Sequence, residues 1–245
     1  MRQIFFFIII ATFVINISNN FCFSETRYNV YSQNETNKII NDTNQEKILF
    51  IIDLSNSMNE YLGNYKKIDI AINTLASISS RLNPNIKTGL RVYGHKHGFN
   101  QLLGCNATEL VVPLQSNNTK NIQYTLSKMS ATGWTPITKS LKNAVNNDFA
   151  GIMGKKRIIL LTDGGENCDE SPCDYAINLV QTREDIQIDV IAFAIDNAEA
   201  DAQLKCTALA TSGKIYRAND AESLAKSLED ALNVSTEVQG TIIKK

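Results

Sequence analysis

Two runs of apolar residues in this sequence each end in an aspartate. The first, ILFIID, ends at Asp53, and the second, RIILLTD, ends at Asp163. Such runs are typical of buried strands in a parallel sheet, where ligands bind at the carboxyl ends of the strands. If the two strands are neighbours, both carboxylates face one crevice. Burying two carboxylates together is unfavourable unless a positive charge lies between them.

Hydroxyl groups complete a candidate ion site around these carboxylates. Ser55 and Ser57 lie two residues apart in the turn after Asp53, so their hydroxyls can face the same side, and Thr135 offers a third. We identify no lysine or arginine in either loop that would supply the positive charge, so a bound cation is predicted. Carboxylate and hydroxyl oxygens suit a hard ion, with Mg2+ favoured and Mn2+ or Ca2+ as alternatives. The predicted metal ligands are Asp53, Ser55, Ser57, Thr135 and Asp163.

Taken singly, each of these residues also fits a structural role. The aspartates can cap turns, and the serines can be ordinary turn residues. Thr135 precedes Pro136 and can be the N-cap of a helix with Pro at its first position. The coincidence of all five residues at one sheet edge favours the ion site.

The elements that must position these residues alternate between strands and helices. Predicted strands cover residues 48–52, 89–94, 109–114, 157–162, 188–195 and 214–216. Predicted helices cover residues 68–82, 137–145, 175–180, 200–210 and 224–232. Pro113 in the third strand indicates a sheet edge. The order predicts an α/β fold with a doubly wound, Rossmann-like and mostly parallel sheet, one antiparallel edge strand, and helices on both faces.

The ends of the chain are expected to lie outside this domain. Residues 1–24 combine a charged start, an apolar run and a cleavage point after Ser24, which is typical of a secretory signal. An uncleaved anchor is the alternative, although the apolar run is shorter than the roughly 18 residues that a bilayer span needs. Residues 25–45 are predicted to be a polar linker, residues 46–235 the domain, and residues 236–245 a tail. We therefore expect an exported protein, periplasmic or secreted, with no membrane span after signal cleavage.

Charge and cysteine content narrow the class further. Lys and Arg total 24 against 25 Asp and Glu, so the balance predicts no nucleic-acid partner. Four cysteines follow the predicted signal, and an even number in an exported chain predicts disulfides. Three connectivities remain open among Cys105, Cys168, Cys173 and Cys206.

The motifs DLSNS, GWTPI and LLTDGGENC, which carry the five predicted ligands, resemble the metal-ion-dependent adhesion site (MIDAS) of von Willebrand factor type A domains. The segments RVYGH, ELVVPL, NCDESPC and LKC further resemble exported bacterial members of that family. Asn56 departs from the resemblance, since the family commonly has Gly there. Because Asn tolerates left-handed turns, we expect only a mild cost to the loop geometry.

The resemblance implies a way of binding a partner. Ser55, Ser57 and Thr135 would ligate the ion directly or through water, and Asp53 and Asp163 would act partly through bound waters. One coordination position would stay open for an Asp or Glu carboxylate of a partner protein. An ion with few direct charges stays electrophilic, so this carboxylate gains more from binding it. The expected function is metal-dependent protein binding, in adhesion or assembly, without turnover.

Two other functions remain open. A metal-assisted hydrolase would need an acid–base partner, for which His95, His97 and Glu166 qualify, but none is tied to the motif by its spacing. We therefore expect no enzyme, and the histidines are expected to be ordinary loop residues. A scaffold domain with a purely structural ion is the other alternative. Trp134 either contacts a partner or packs its own loop.

Overall fold

The computed structural model describes residues 35–37, 40–97 and 100–233. The chain divides into two units, residues 1–44 and residues 45–245. In the first unit, residues 35–37 and 40–44 are helical, within the stretch predicted as a polar linker. The predicted signal segment and C-terminal tail lie outside the described residues. No helix of the described part is long and apolar enough to cross a membrane.

In the described part of the second unit, eight strands form two sheets. They are β1 (Lys47–Asp53), β2 (Tyr61–Leu62), β3 (Tyr65–Lys66), β4 (Lys87–Tyr93), β5 (Thr108–Gln115), β6 (Lys156–Thr162), β7 (Ile186–Phe193) and β8 (Ile215–Ala218). β2 and β3 pair as a hairpin, and the other six form one sheet in the order β5-β4-β1-β6-β7-β8. Of the strand pairs described in that sheet, β4–β5 is antiparallel and the others are parallel. The predicted parallel sheet with an antiparallel edge strand is confirmed, and the edge strand is the one that contains Pro113.

Among the described residues of this unit, seven α-helices surround the large sheet. They are α1 (Lys67–Ser79), α2 (Gln101–Gly104), α3 (Thr119–Leu126), α4 (Ile137–Asn143), α5 (Pro172–Leu179), α6 (Ala198–Ala210) and α7 (Ala221–Leu232). A 3-10 turn spans Asn56–Asn59, and a π-helical turn at Ala144–Asp148 continues α4. The sequence did not predict α2, α3 or the β2–β3 hairpin.

The central strand β1 shows how the core is divided. Ile48, Phe50 and Ile52 pack in a cluster with α1, α3 and α7, while Leu49 and Ile51 pack in a second cluster with α4, α5 and α6. All five are at most 2% exposed. Successive side chains of a strand point to opposite faces of the sheet, so both faces of β1 are buried. This burial explains why the strand is apolar throughout until it leaves the sheet at its aspartate.

Candidate metal site

Asp53 and Asp163 lie at the same edge of the sheet because β1 and β6 are neighbouring parallel strands. The expectation that these two strands are neighbours is confirmed. Asp53 is fully buried, and its Oδ1 accepts a hydrogen bond of 2.7 Å from the Ser55 backbone N. Its Oδ2 accepts one of 2.7 Å from the Thr162 hydroxyl. Burial, together with the charge of Asp163, raises the pKa of Asp53 to about 6, although these hydrogen bonds act in the opposite direction.

Hydroxyl groups link the two strand ends. The hydroxyl oxygens of Ser55 and Ser57 are 3.1 Å apart, and Ser57 Oγ donates to Asp163 Oδ1 at 2.7 Å. Met58 follows Ser57 in the same loop, and its fully buried side chain anchors the loop to the core. The two serines therefore turn to the same side, and their oxygens continue directly to the second aspartate.

Asn56, between the two serines, is an exposed residue of the 3-10 turn. It does not adopt a left-handed backbone conformation. Its backbone N donates to Gly133 O at 2.9 Å, which ties the loop to the segment before Thr135. The backbone at this position does not require Gly, so the mild cost to loop geometry that the sequence suggested is absent.

Thr135 lies between the loops that follow β1 and β6. It is 4% exposed, and its backbone N donates to Asn167 Oδ1 at 2.7 Å. Helix α4 begins at Ile137 with Pro136 at its N-cap position. Thr135 therefore precedes the cap, and the N-cap role that was its structural alternative is not observed.

A lysine that the sequence did not reveal also reaches this site. Lys67 Nζ lies 3.0 Å from Asp163 Oδ2 and 2.8 Å from Glu60 Oε2, and Lys67 is only 8% exposed. Burial by itself lowers the pKa of Lys67, but the hydrogen bonds to Glu60 and Asp163 outweigh it and leave that pKa raised. Lys67 lies outside the two loops that were searched for a basic residue, and it supplies part of the positive charge that the sequence analysis expected from a bound ion. Lys67 is the first residue of α1, and only the folded chain brings it to Asp163.

The donor atoms at this edge fit a hard divalent cation. The five predicted ligands offer only carboxylate and hydroxyl oxygens, which are the ligands that Mg2+, Mn2+ and Ca2+ prefer. Within the described ranges, no group of three or more His, Cys, Asp or Glu could hold a metal ion by itself. An ion at this edge would therefore depend on the hydroxyls of Ser55, Ser57 and Thr135 as well as on the carboxylates.

The four cysteines of the described residues form two disulfides. Cys105 is bonded to Cys168 and Cys173 to Cys206, with Cα–Cα distances of 5.6 and 5.3 Å. The predicted disulfides are confirmed, and the connectivity left open by the sequence is resolved. Cys168 follows Asn167, so the first disulfide joins the loop that holds Thr135 to the residue after α2. The second disulfide joins α5 to α6.

Each candidate acid–base group contacts another polar group of the chain. Glu166 accepts hydrogen bonds from the backbone N atoms of Thr138 (2.7 Å) and Cys168 (3.0 Å), and burial raises its pKa. His95 Nε2 lies 3.2 Å from Glu109 Oε2, and burial lowers the pKa of this histidine. His97 Nδ1 lies 3.2 Å from a backbone oxygen. These contacts anchor loops around the candidate metal site.

Two clefts flank the site. One, of about 500 Å³, lies beside Asp163 and includes Lys67 and Glu166 in its lining. The other, of about 570 Å³, lies between Asn56 and Trp134.

The indole of Trp134 is half-buried and packs against Gly104, where a Cβ atom would have no room. Trp134 therefore packs against helix α2 and lines a cleft, and its contact with a partner stays a prediction.

Comparisons with known proteins agree with this architecture. Residues 47–231 match the family model of the von Willebrand factor type A domain. The chain is 31% identical to YwmD of Bacillus subtilis (strain 168) over 202 residues, which cover 80% of this chain and 88% of YwmD.

Solved structures give the same fold at lower identity. Proximal thread matrix protein 1 of the mussel byssus, with a zinc-occupied MIDAS motif, has a TM-score of 0.59 and 21% identity, over 78% of this chain and 46% of that one. The pilus adhesin SpaC of Lactobacillus rhamnosus GG has a TM-score of 0.58 and 14% identity, over 77% of this chain and 30% of that one. The chain thus spans less than half the length of either structure. By the family-model match over residues 47–231, with which the sheet order agrees, this chain belongs to the von Willebrand factor type A domain family.

Proposed function

We propose that this chain is an exported, metal-dependent protein-binding domain that acts in adhesion or assembly. A divalent cation, Mg2+ in the first place and Mn2+ or Ca2+ as alternatives, would engage an Asp or Glu carboxylate of a partner protein. The observation that carries the proposal is the continuous group of oxygens from Ser55 through Ser57 to Asp163, beside buried Asp53. These oxygens lie at the sheet edge where ligands of open α/β folds bind.

The roles of the five residues follow from their charge. Ser55, Ser57 and Thr135 would hold the ion directly or through water, and Asp53 and Asp163 would act partly through bound waters. When bound, the ion would supply a positive centre for the partner's carboxylate. Because the hydroxyls are uncharged and Lys67 offsets part of the charge of Asp163, the ion would keep a strong attraction for a further anionic ligand.

Two structural neighbours and the disulfides support this proposal. The mussel protein has a zinc-occupied MIDAS motif, and SpaC is a pilus adhesin. The two disulfides support export, because disulfides persist mainly in oxidising compartments outside the cytosol.

The contacts of the acid–base candidates support binding without turnover. A general base must lie within hydrogen-bond reach of the group from which it takes a proton. Both carboxylate oxygens of Glu166 accept backbone N–H groups, and His95 and His97 contact Glu109 and a backbone oxygen. Each is thus used to hold a loop in place.

Calorimetry followed by peptide selection tests the proposed function. The oxidised protein is titrated with Mn2+ and Mg2+ beside an Asp53→Ala variant whose folding is checked by circular dichroism. We expect the wild type to bind and the variant not to bind. A displayed random-peptide library is then bound in Mn2+ and eluted with EDTA, and the eluted peptides should be enriched in Asp and Glu. Peptides that bind equally well in excess EDTA would contradict a metal-dependent site.

A further inference from the structure

Lys67 provides an inference that rests on the proposed metal binding and extends it. We propose that Lys67 is a built-in cation of the site, which holds Asp163 and lowers the affinity for a free divalent cation. Tight binding of the ion then requires the negative charge of the partner's carboxylate. Lys67 is on this view a positioning residue that couples the ion to the partner.

The contacts of Asp163 are the first support. Its Oδ1 accepts from Ser57 Oγ at 2.7 Å, and its Oδ2 accepts from Lys67 Nζ at 3.0 Å. Each oxygen of Asp163 therefore already accepts one hydrogen bond within the chain. The side chain of Asp163 is 0% exposed and that of Lys67 is 10% exposed. Solvent and salt screen a buried pair far less than a surface pair, so Lys67 acts more strongly on the site than an exposed lysine would.

The position of Lys67 is fixed by the hairpin that precedes it. Its backbone N donates to Glu60 O at 2.9 Å, and its Nζ contacts Glu60 Oε2 at 2.8 Å. Strands β2 and β3 lie between these two residues, so the Glu60–Lys67 pair closes the base of the hairpin. The lysine is thereby held from one side by Glu60 and from the other by Asp163, and it does not swing freely into solvent.

The two carboxylates that contact Lys67 differ in their exposure to solvent. The Glu60 side chain is 66% exposed, so water weakens its attraction for the ammonium group. Glu60 therefore offsets the charge of Lys67 only in part. A divalent cation beside Asp163 would be repelled by this ammonium group, and a carboxylate added by a partner would offset the repulsion. Ion and partner would then raise each other's affinity by the same factor.

The test compares three lysine variants by calorimetry with Mn2+ at neutral pH. Lys67→Met should lower the Kd for Mn2+ about tenfold, because it removes a like charge next to the ion. Lys67→Arg keeps the charge and should bind like the wild type. Lys66→Met is the matched control, since Lys66 Nζ lies 3.5 Å from Asn59 Oδ1 and not at Asp163. Loss of a merely structural contact would instead weaken binding in Lys67→Met.

Further variants and a second salt keep the proposal testable if Lys67→Met does not fold. Glu60→Gln removes the exposed counter-charge and should raise the Kd for Mn2+. Replacing sodium chloride by sodium acetate at equal ionic strength should tighten Mn2+ binding by the wild type, and less by Lys67→Gln, which loses the charge but keeps a hydrogen-bond donor for Asp163. An unchanged or lower Kd in Glu60→Gln, or an equal effect of acetate on both proteins, overturns the coupling.

The outcomes separate this inference from the proposed function. If the wild type binds Mn2+ and a folded Lys67→Met binds it no more tightly, only the role of Lys67 is overturned. If Lys67→Met binds Mn2+ and the wild type does not, the role of Lys67 is supported and unaided metal binding fails. If neither folded protein binds Mn2+, both proposals are overturned.

Discussion

Ser57 donates a hydrogen bond of 2.7 Å to Asp163, although the two residues are 106 positions apart in the chain. Ser57 belongs to the loop after β1, and Asp163 is the residue that follows β6. The bond joins the two motifs of the candidate site at one edge of the sheet. A change in either loop therefore alters the oxygens that the other presents.

Ser57→Ala removes both a proposed ligand and the hydrogen-bond partner of Asp163 Oδ1. We expect the Kd for Mn2+ to rise at least tenfold, and the free energy of unfolding without metal to fall by only about 1 kcal/mol, the usual net effect of one hydrogen bond. Calorimetry and urea unfolding measure the two effects. Ser80→Ala is the control, because its exposed hydroxyl donates to Ser77 O on α1. A Kd for Mn2+ that is the same in both variants would contradict the role of Ser57.

Asp53→Asn separates the charge of the buried carboxylate from its shape. The amide can still accept from the Ser55 backbone N, and it can donate to Thr162 Oγ1, which has Gly164 O as an alternative acceptor. Because burial and Asp163 disfavour the charge at this position, the metal-free variant should be at least as stable as the wild type. Mn2+ binding should nevertheless be lost. A variant that unfolds without metal would indicate that the carboxylate is needed for the scaffold itself.

The disulfides offer a matched pair of double variants. Removing either bond should lower the free energy of unfolding by about 2–4 kcal/mol, because both close long loops of the unfolded chain. Cys105→Ser with Cys168→Ser should also weaken Mn2+ binding, since Cys168 adjoins the Asn167 that holds Thr135. Cys173→Ser with Cys206→Ser, between α5 and α6, should leave the Kd for Mn2+ unchanged. Equal effects of the two pairs on that Kd would show that the first disulfide has no special part in the site.

The ends of β1 and β6 could be predicted from the sequence because both strands are central. A central strand is buried on both faces, so its residues are apolar until the first one that leaves the sheet. Asp53 and Asp163 stand out for this reason. The β2–β3 hairpin and helix α2 are short and partly exposed, and such elements leave no apolar period long enough to recognise.

Lys67 and Asn167 could not be assigned from the sequence. Their contacts with Asp163 and Thr135 depend on how α1 and the loop after β6 are placed in three dimensions. A lysine that opens an amphipathic helix is ordinarily a solvated residue, and nothing in its spacing from Asp53 indicates a buried ion pair. The pair Glu60 and Lys67 on either side of a short Gly-Asn turn is the one pattern that could have pointed to a closed hairpin at this position.

The ion pairs of Asp185 should make the free energy of unfolding depend on pH. This effect should be independent of the metal site, because Asp185 lies before β7, at the opposite edge of the sheet. Hydrogen bonds from Arg183, and secondly Lys156, hold its pKa well below the usual range, although burial acts in the opposite direction. The unfolded carboxyl has a pKa near about 3.9. The unfolded chain therefore takes up the proton first, and this contribution to stability is present above about pH 4 and is lost as the pH falls below it. Asp185→Asn should cost about 1–2 kcal/mol at pH 7, since it leaves the buried Lys156 ammonium without a carboxylate. In urea unfolding, the difference in free energy of unfolding between the wild type and Asp185→Asn should be smaller at pH 3 than at pH 7. The Kd for Mn2+ at pH 7 should be the same in both proteins. A difference in free energy that does not change with pH would contradict the ion pair.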